Sequence, residues 1–271
     1  VSAGCKHCYA EQSTPVRVKR AAGLEVWGKN AARDETGSWL ANLRKWGRDS
    51  VRRANFDPWY VFGQSLSDTF EARADLDPLR AQFFAAMTEW HSRSLVFQLL
   101  TKRPENIRRM VPASWLTSWP AHVWIGTTCE DQERAEERIP HLLTVPAPVR
   151  FLSVEPQLGP VNLGEWIAPH ECCSACGHVS DGERLDDEGH PREDCASCGD
   201  GGSLITTWGD EQTKRWEIGA RYADGGPHEV DERTAIQWVI CGGESGPKAR
   251  PFDLAWARSL RDQCRAAGVP Y

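Results

Sequence analysis

One recurring unit constrains this chain more than anything else in it. A short, nearly continuous apolar run is followed by a polar turn and then by apolar residues at helical spacing. Trp59-Tyr60-Val61-Phe62 leads into Gly63-Gln64-Ser65-Leu66-Ser67-Asp68, and Leu76, Leu79, Phe83, Phe84, Met87 and Trp90 then share one helical face. Leu95 to Leu100 runs into Thr101-Lys102-Arg103-Pro104. Val123 to Gly126 runs into Thr127-Thr128-Cys129-Glu130, with a helix expected over 131–143. Val149 to Leu152 ends in Ser153-Val154-Glu155-Pro156. Trp238-Val239-Ile240 ends in Gly242-Gly243-Glu244-Ser245, with a helix expected over 253–267, and Val269-Pro270-Tyr271 opens a further strand.

Strands alternating with helices predict a parallel sheet, and continuous apolar strands predict burial on both faces. Five such units suit an α/β fold built as a partial (β/α) TIM-like barrel, with a doubly wound sheet as the alternative. The expected division is a first barrel part at 1–167, an inserted acidic segment at 168–235 and a last barrel part at 236–271. Charge supports that division. Residues 16–55 hold ten basic and four acidic side chains, whereas 170–235 hold sixteen acidic and six basic. No uncharged apolar run approaches the roughly 18 residues of a membrane span. Val1 opens directly on a polar, cysteine-bearing segment with no signal peptide, so a truncated chain is expected.

In a parallel barrel the polar residues after each strand meet at one mouth. Ser65, Ser67 and Asp68 collect there, with Lys102, Arg103, Glu130, Ser153, Glu155, Glu244 and Ser245. Any single Ser or Asp at such a place can be a helix cap, but five clusters point to a shared pocket. Lys102 and Arg103 either pair with Glu130 or Glu155, or bind an anion.

Ten cysteines, several in close pairs within a large chain, favour metal binding in a reducing compartment over disulfides. Cys173 and Cys176 precede Cys195 and Cys198 by eighteen residues, a structural zinc spacing that makes a closed four-thiolate knuckle. Cys172 can replace Cys173. The acidic, core-poor segment around these cysteines needs the metal to fold. Cys129, Cys241 and Cys264 read as small buried hydrophobes. Near the start, Cys5-Lys6-His7-Cys8 suits half a zinc site, a redox pair or an iron–sulfur site.

Ser2-Ala3-Gly4-Cys5-Lys6-His7-Cys8-Tyr9-Ala10-Glu11 resembles the cysteine loop of phage-type radical S-adenosylmethionine proteins, the family of phage gene products thirty-seven and sixty-eight. Further likenesses run through Val61 to Phe70, Leu100 to Pro104, Trp124 to Glu130, Phe151 to Pro156, Trp238 to Pro247 and Arg250-Pro251. The resemblance implies a four-iron four-sulfur (4Fe-4S) cluster on three thiolates, two of them Cys5 and Cys8 and the third ahead of Val1. It implies that S-adenosylmethionine is cleaved by one electron from a reductant protein to give a 5′-deoxyadenosyl radical. His7 would lie near the adenine, and Ser65, Ser67, Asp68, Ser153 and Glu244 would seat the cofactor. Lys102, Glu130 and Glu155 would serve catalysis. The wider superfamily carries Gly-Gly-Glu after its second strand; here Gly242-Gly243-Glu244 follows the last clear strand, so that role is not transferred.

The substrate expected from this reading is a nucleic-acid component or a partner-bound molecule. The compartment is cytoplasmic, in a bacterial host or phage-encoded, with no membrane contact. Two other classes stand beside it: a zinc-organised nucleic-acid-binding protein, and a cluster-free barrel lyase using Lys102 with Glu130 or Glu155. The basic arm, with Arg44, Lys45, Arg48 and Arg52 among Trp27, Trp39 and Trp46, suits either a nucleic-acid grip or a solvated helix packed on the barrel.

Overall fold

The structure, a computed structural model, describes residues 6–28, 31, 38–52, 58–167, 171–173, 179–180, 204–205, 236–246 and 248–271. The chain separates into two compact units, Val1–Leu163 with Ile236–Tyr271, and Gly164–Ala235.

The first unit begins with α1 (Thr14–Ala21) and α2 (Trp39–Arg52), followed by β1 (Trp59–Gly63), α3 (Asp77–Thr88) and β2 (Leu95–Thr101). Next come the single turn α4 (Ile107–Met110), β3 (Val123–Thr128), α5 (Gln132–Leu143) and β4 (Arg150–Val154). The second unit holds α6 (Gly164–Ile167), β5 (Glu171–Cys173), β6 (Val179–Ser180) and β7 (Leu204–Ile205), with the strands antiparallel in the order β6-β5-β7. The chain re-enters the first unit through β8 (Trp238–Cys241) and ends in α7 (Leu254–Ala266).

Five strands form one sheet in the order β1-β2-β3-β4-β8, every neighbouring pair parallel. A doubly wound sheet reverses its strand order at a switch point. This one never reverses, so it winds in a single direction as a half-barrel. Beyond β8, the Val239 amide donates to the Pro270 carbonyl (3.0 Å), which sets the last residues beside that strand.

Helix boundaries follow cap chemistry. The Asp131 carboxylate accepts from the Arg134 amide (2.9 Å) and opens α5, and Asp253 accepts from Ala255 (2.8 Å) and opens α7. Both helices therefore start one residue inside the spans expected from periodicity. Pro78 sits in the first turn of α3, where its missing amide costs nothing.

The sheet has two unlike faces. Leu95, Phe97, Leu99, Val123 and Ile125 are fully buried, and α5 packs on β3 and α2 on β2. The alternating residues Val96, Gln98, Leu100 and Trp124 are only half-buried. Near the N-terminal ends of the strands that second face carries an aromatic row. Tyr60 meets Trp124 at 5.5 Å, Trp124 meets Trp238 at 6.1 Å, and Trp238 meets Phe151 at 5.5 Å. Continued by the two-residue period, the same face leads upward to Lys102, Glu130 and Glu155.

The basic arm packs as a helix. Trp39 meets Phe83 edge-on at 5.6 Å, Leu43 is buried, and Arg44 forks onto Glu89 with bonds of 3.0 and 2.7 Å. Lys45 pairs with Asp49 one turn on (3.0 Å). Trp46, expected on the packed side, stays exposed.

At Gly126 the Phe151 ring occupies the place of a side chain: a Cβ there would lie 2.6 Å from the ring. Gly126→Ala is expected to destabilise the fold by about 1–3 kcal/mol through overpacking. The urea unfolding midpoint measures this, and Phe151→Leu in the same chain should recover part of the loss.

Candidate functional site

The loop after β1 is tied to the loop after β2 by Asp68. Its Oδ1 accepts from the Phe70 amide (2.9 Å) and the Thr101 hydroxyl (2.7 Å). Its Oδ2 accepts from the Lys102 amide (3.1 Å) and from Arg103 Nη1 (2.9 Å). A carboxylate offers about four lone-pair sites, and four donors fill them. Asp68 therefore holds the loop, and a ligand reaching for it has to displace one of these donors. Ser67 Oγ donates to Gln64 Oε1 within its own turn (3.0 Å), and Ser65 and Ser67 are both exposed on that turn.

The loop after β3 is organised by Glu130, whose side chain is 0% exposed. Lys102 Nζ donates to its Oε1 (2.8 Å) and Arg138 Nη1 to its Oε2 (2.8 Å). Arg138 also donates to the Thr128 carbonyl (2.7 Å). Burying a carboxylate is costly unless cations and hydrogen bonds compensate, and here both do. Of the two adjacent acids, Asp131 caps the helix and Glu130 faces the mouth.

The third cluster follows β8. Glu244 receives the Arg250 guanidinium as a fork, Nε to Oε2 (2.9 Å) and Nη2 to Oε1 (2.6 Å), and also the Arg250 amide (2.8 Å). His7 Nδ1 lies 3.2 Å from Glu244 Oε2. That contact places the turn bearing His7 and Cys8 at the C-terminal edge of the sheet. The Arg250 guanidinium, working against burial, holds the Glu244 carboxyl far below the usual range, at about 2. Glu130 lies near enough to add to the field on Arg250, so the second and third clusters adjoin.

Glu155 is exposed at the end of β4 and forms no hydrogen bond or ion pair with any described residue. A Cβ on Gly242 would lie 2.9 Å from its carboxyl carbon, so that glycine admits the side chain. Ser153 is buried within the strand. The expected residues His7, Asp68, Lys102, Glu130 and Glu244 thus sit in adjoining hydrogen-bonded clusters, and Lys102 pairs with Glu130. Sequence reasoning missed Arg138 and Thr101, and it gave Arg250 no role. Arg138 left a signal, because it falls on the apolar stripe of α5 beside Ala135, Ile139 and Leu142, where a guanidinium needs a buried partner.

A family model described as "Protein of unknown function (DUF5131)" matches residues 1–271. The chain belongs to this family. No curated protein and no solved structure matches it.

In this member of the family, Cys8 is a free, half-buried thiol, and Cys129 and Cys264 are buried as expected. Cys241 differs from its expected burial: it is half-exposed, and its thiol donates to Gln157 Oε1 (3.1 Å). Burial pushes the Cys129 thiol up, which keeps it protonated and inert. Cys5, Cys176, Cys195 and Cys198 lie outside the described residues, as does the side chain of Cys173. Among the described residues no three His, Cys, Asp or Glu side chains gather as a metal site. No described helix is long and apolar enough to cross a membrane.

Because the Glu244 value is lowered from 4.5 to about 2, its pairing stabilises the fold above pH 4.5. That contribution is lost as the pH falls from 4.5 to about 2. Glu244→Gln should lower the urea midpoint at pH 7, and the gap from wild type should narrow steadily across that acid window.

Proposed function

We propose that this chain is part of a radical S-adenosylmethionine enzyme, a partial (β/α) TIM-like barrel with a zinc knuckle inserted between β4 and β8. The observation that carries the reading is the 3.2 Å contact between His7 and Glu244, because it brings the cysteine turn to the mouth where the polar strand ends collect. The donor set fits in part. Cys8 is a free, half-buried thiol, and soft thiolates suit iron. Cys5, its partner in the motif, lies outside the described residues.

Cys5 and Cys8 would hold an iron–sulfur cluster there, and the chemistry it would supply is one-electron reduction of S-adenosylmethionine. The chain's own residues do the rest. Glu244 and Arg250 anchor the cysteine turn through His7. Glu155 offers an exposed carboxylate to an ammonium or hydroxyl of the cofactor. Glu130, itself held by Arg138, fixes the Lys102 ammonium at the rim, and the aromatic row lies on the sheet face below. A reductant protein delivers the electron, and the substrate is a nucleic-acid component or a partner-bound molecule.

The other two classes draw less support. A lysine nucleophile must stand as a free amine, whereas Lys102 donates to a buried carboxylate as a fixed cation. In the basic arm, Arg44 and Lys45 already pair with Glu89 and Asp49.

The test uses the protein together with any sequence encoded ahead of Val1, reconstituted anaerobically with iron and sulfide. Reductive release of 5′-deoxyadenosine is expected, and its absence from protein with a full iron complement sinks the proposal. Cys5→Ala with Cys8→Ala should abolish iron binding and leave zinc in place. Cys176→Ala with Cys198→Ala should do the reverse, as metal analysis would show.

A further inference from the structure

Three of the ion pairs at the mouth share one polarity: the carboxylate is inside and the cation outside. Lys102 is 30% exposed over a Glu130 that is 0% exposed. Arg103 is 40% exposed over Asp68 at 15%, and Arg250 is 29% exposed over Glu244 at 5%. Arg103 with Asp68 and Arg250 with Glu244 balance in charge, Lys102 shares Glu130 with Arg138, and the face each turns to water is positive. Neutral pairs of this kind hold cations in place without the self-repulsion that free cations would suffer.

Two of these cations keep donors in reserve. The Lys102 ammonium has three N–H groups and gives one hydrogen bond, to Glu130. Arg103 uses Nη1 on Asp68, and its Nε and Nη2 bond to no described residue. They are consecutive residues directly after β2, each pinned by a carboxylate from a neighbouring loop. Glu105 is exposed on the turn that begins just past Arg103, while the exposed acid at the other strand ends, Glu155, follows β4, two strands away from β2, or about 10 Å. An anion can therefore sit at the β2 rim clear of it.

We propose that Lys102 and Arg103 form a binding site for a phosphate group carried by the substrate. A phosphate group offers two or three non-bridging oxygens, which suit the spare N–H donors on the outward side of these two fixed cations. The inference rests on the mouth being a reaction site and deepens that reading by naming its substrate class. The monoester of a free nucleotide and the diester of a nucleic-acid backbone share these acceptor oxygens but differ in charge, and the probes below tell them apart.

Two readouts on the full chain test the site without any cluster. In the first, thymidine monophosphate, a short oligothymidylate and inorganic tripolyphosphate are titrated by calorimetry at low salt. Binding by at least one is expected, weakening as salt rises. Arg103→Gln and Lys102→Gln should each cost about tenfold in affinity, and Arg103→Lys should retain most of it. Tighter binding of the oligothymidylate than of the monophosphate assigns the site to a backbone, and the converse assigns it to a free nucleotide. In the second readout, unmutated protein is acylated with and without the same probes and mapped by mass spectrometry. Lys102 should be protected, while Lys45, 66% exposed on α2, should not. No binding at millimolar probe, equal binding by the glutamine variants, or labelling of Lys102 that the probes leave unchanged overturns the proposal. None of these outcomes depends on release of 5′-deoxyadenosine, so the phosphate site and the radical chemistry stand or fall separately.

Discussion

A carboxylate removed from water must be answered by cations and donors, and at this mouth each carboxylate is contacted from at least one other segment of the chain. Asp68, after β1, is answered by Thr101, Lys102 and Arg103 after β2. Glu130, after β3, is answered by Lys102 and by Arg138 on the helix that follows. Glu244, after β8, is answered by Arg250 and contacted by His7 from the start of the chain. Lys102 belongs to two of these sets, through its amide and through its ammonium. The loops are consequently not independent. Loss of one acid strands cations in its neighbour's network, so substitutions here should couple rather than add.

Beneath the mouth the sheet is held by packing rather than by charge. The helix-covered face is closed by Phe97, Leu99 and Ile125, all fully buried, and the opposite, half-buried face carries the row from Tyr60 to Phe151. Apolar packing is non-directional, so it fixes the strands while leaving their ends free to carry chemistry. This is why the same unit can recur along the chain with different polar endings.

The sheet was legible because its signal is local. Apolar runs of strand length and apolar residues at helical spacing both lie within a few neighbours, and sequential strands tend to lie side by side. The site was legible only as a set of endings. Asp68, Lys102, Glu130 and Glu244 announce themselves by following strands, but their partners do not, since Lys102 and Glu130 are 28 residues apart and His7 and Glu244 are 237 apart. Strand order then decides what the sequence left open. Glu130 stands two residues past β3 and Glu155 one residue past β4, on the same face, and either could have met Lys102. Glu130 follows β3, the immediate neighbour of β2, about 5 Å away, whereas Glu155 follows β4, twice as far. Lys102 meets the nearer of the two.

The same reasoning explains why Gly242-Gly243-Glu244 is a poor guide when read as letters. Gly242 has no side chain because the carboxyl of Glu155 lies where a Cβ would reach, and a Cβ on Gly243 would lie 3.1 Å from the Cβ of Phe252. Both glycines are thus accounted for by close approach of neighbouring side chains. Glu244 is enclosed by the Arg250 fork, the Arg250 amide and His7, which leaves little of it for a ligand. Its carboxylate works inward, drawing the cysteine turn onto the sheet, and the exposed carboxylate of this neighbourhood is Glu155 one strand away. An acid's place on the chain therefore says that it belongs to the mouth. Its burial and its partners say whether it builds the mouth or faces what enters it.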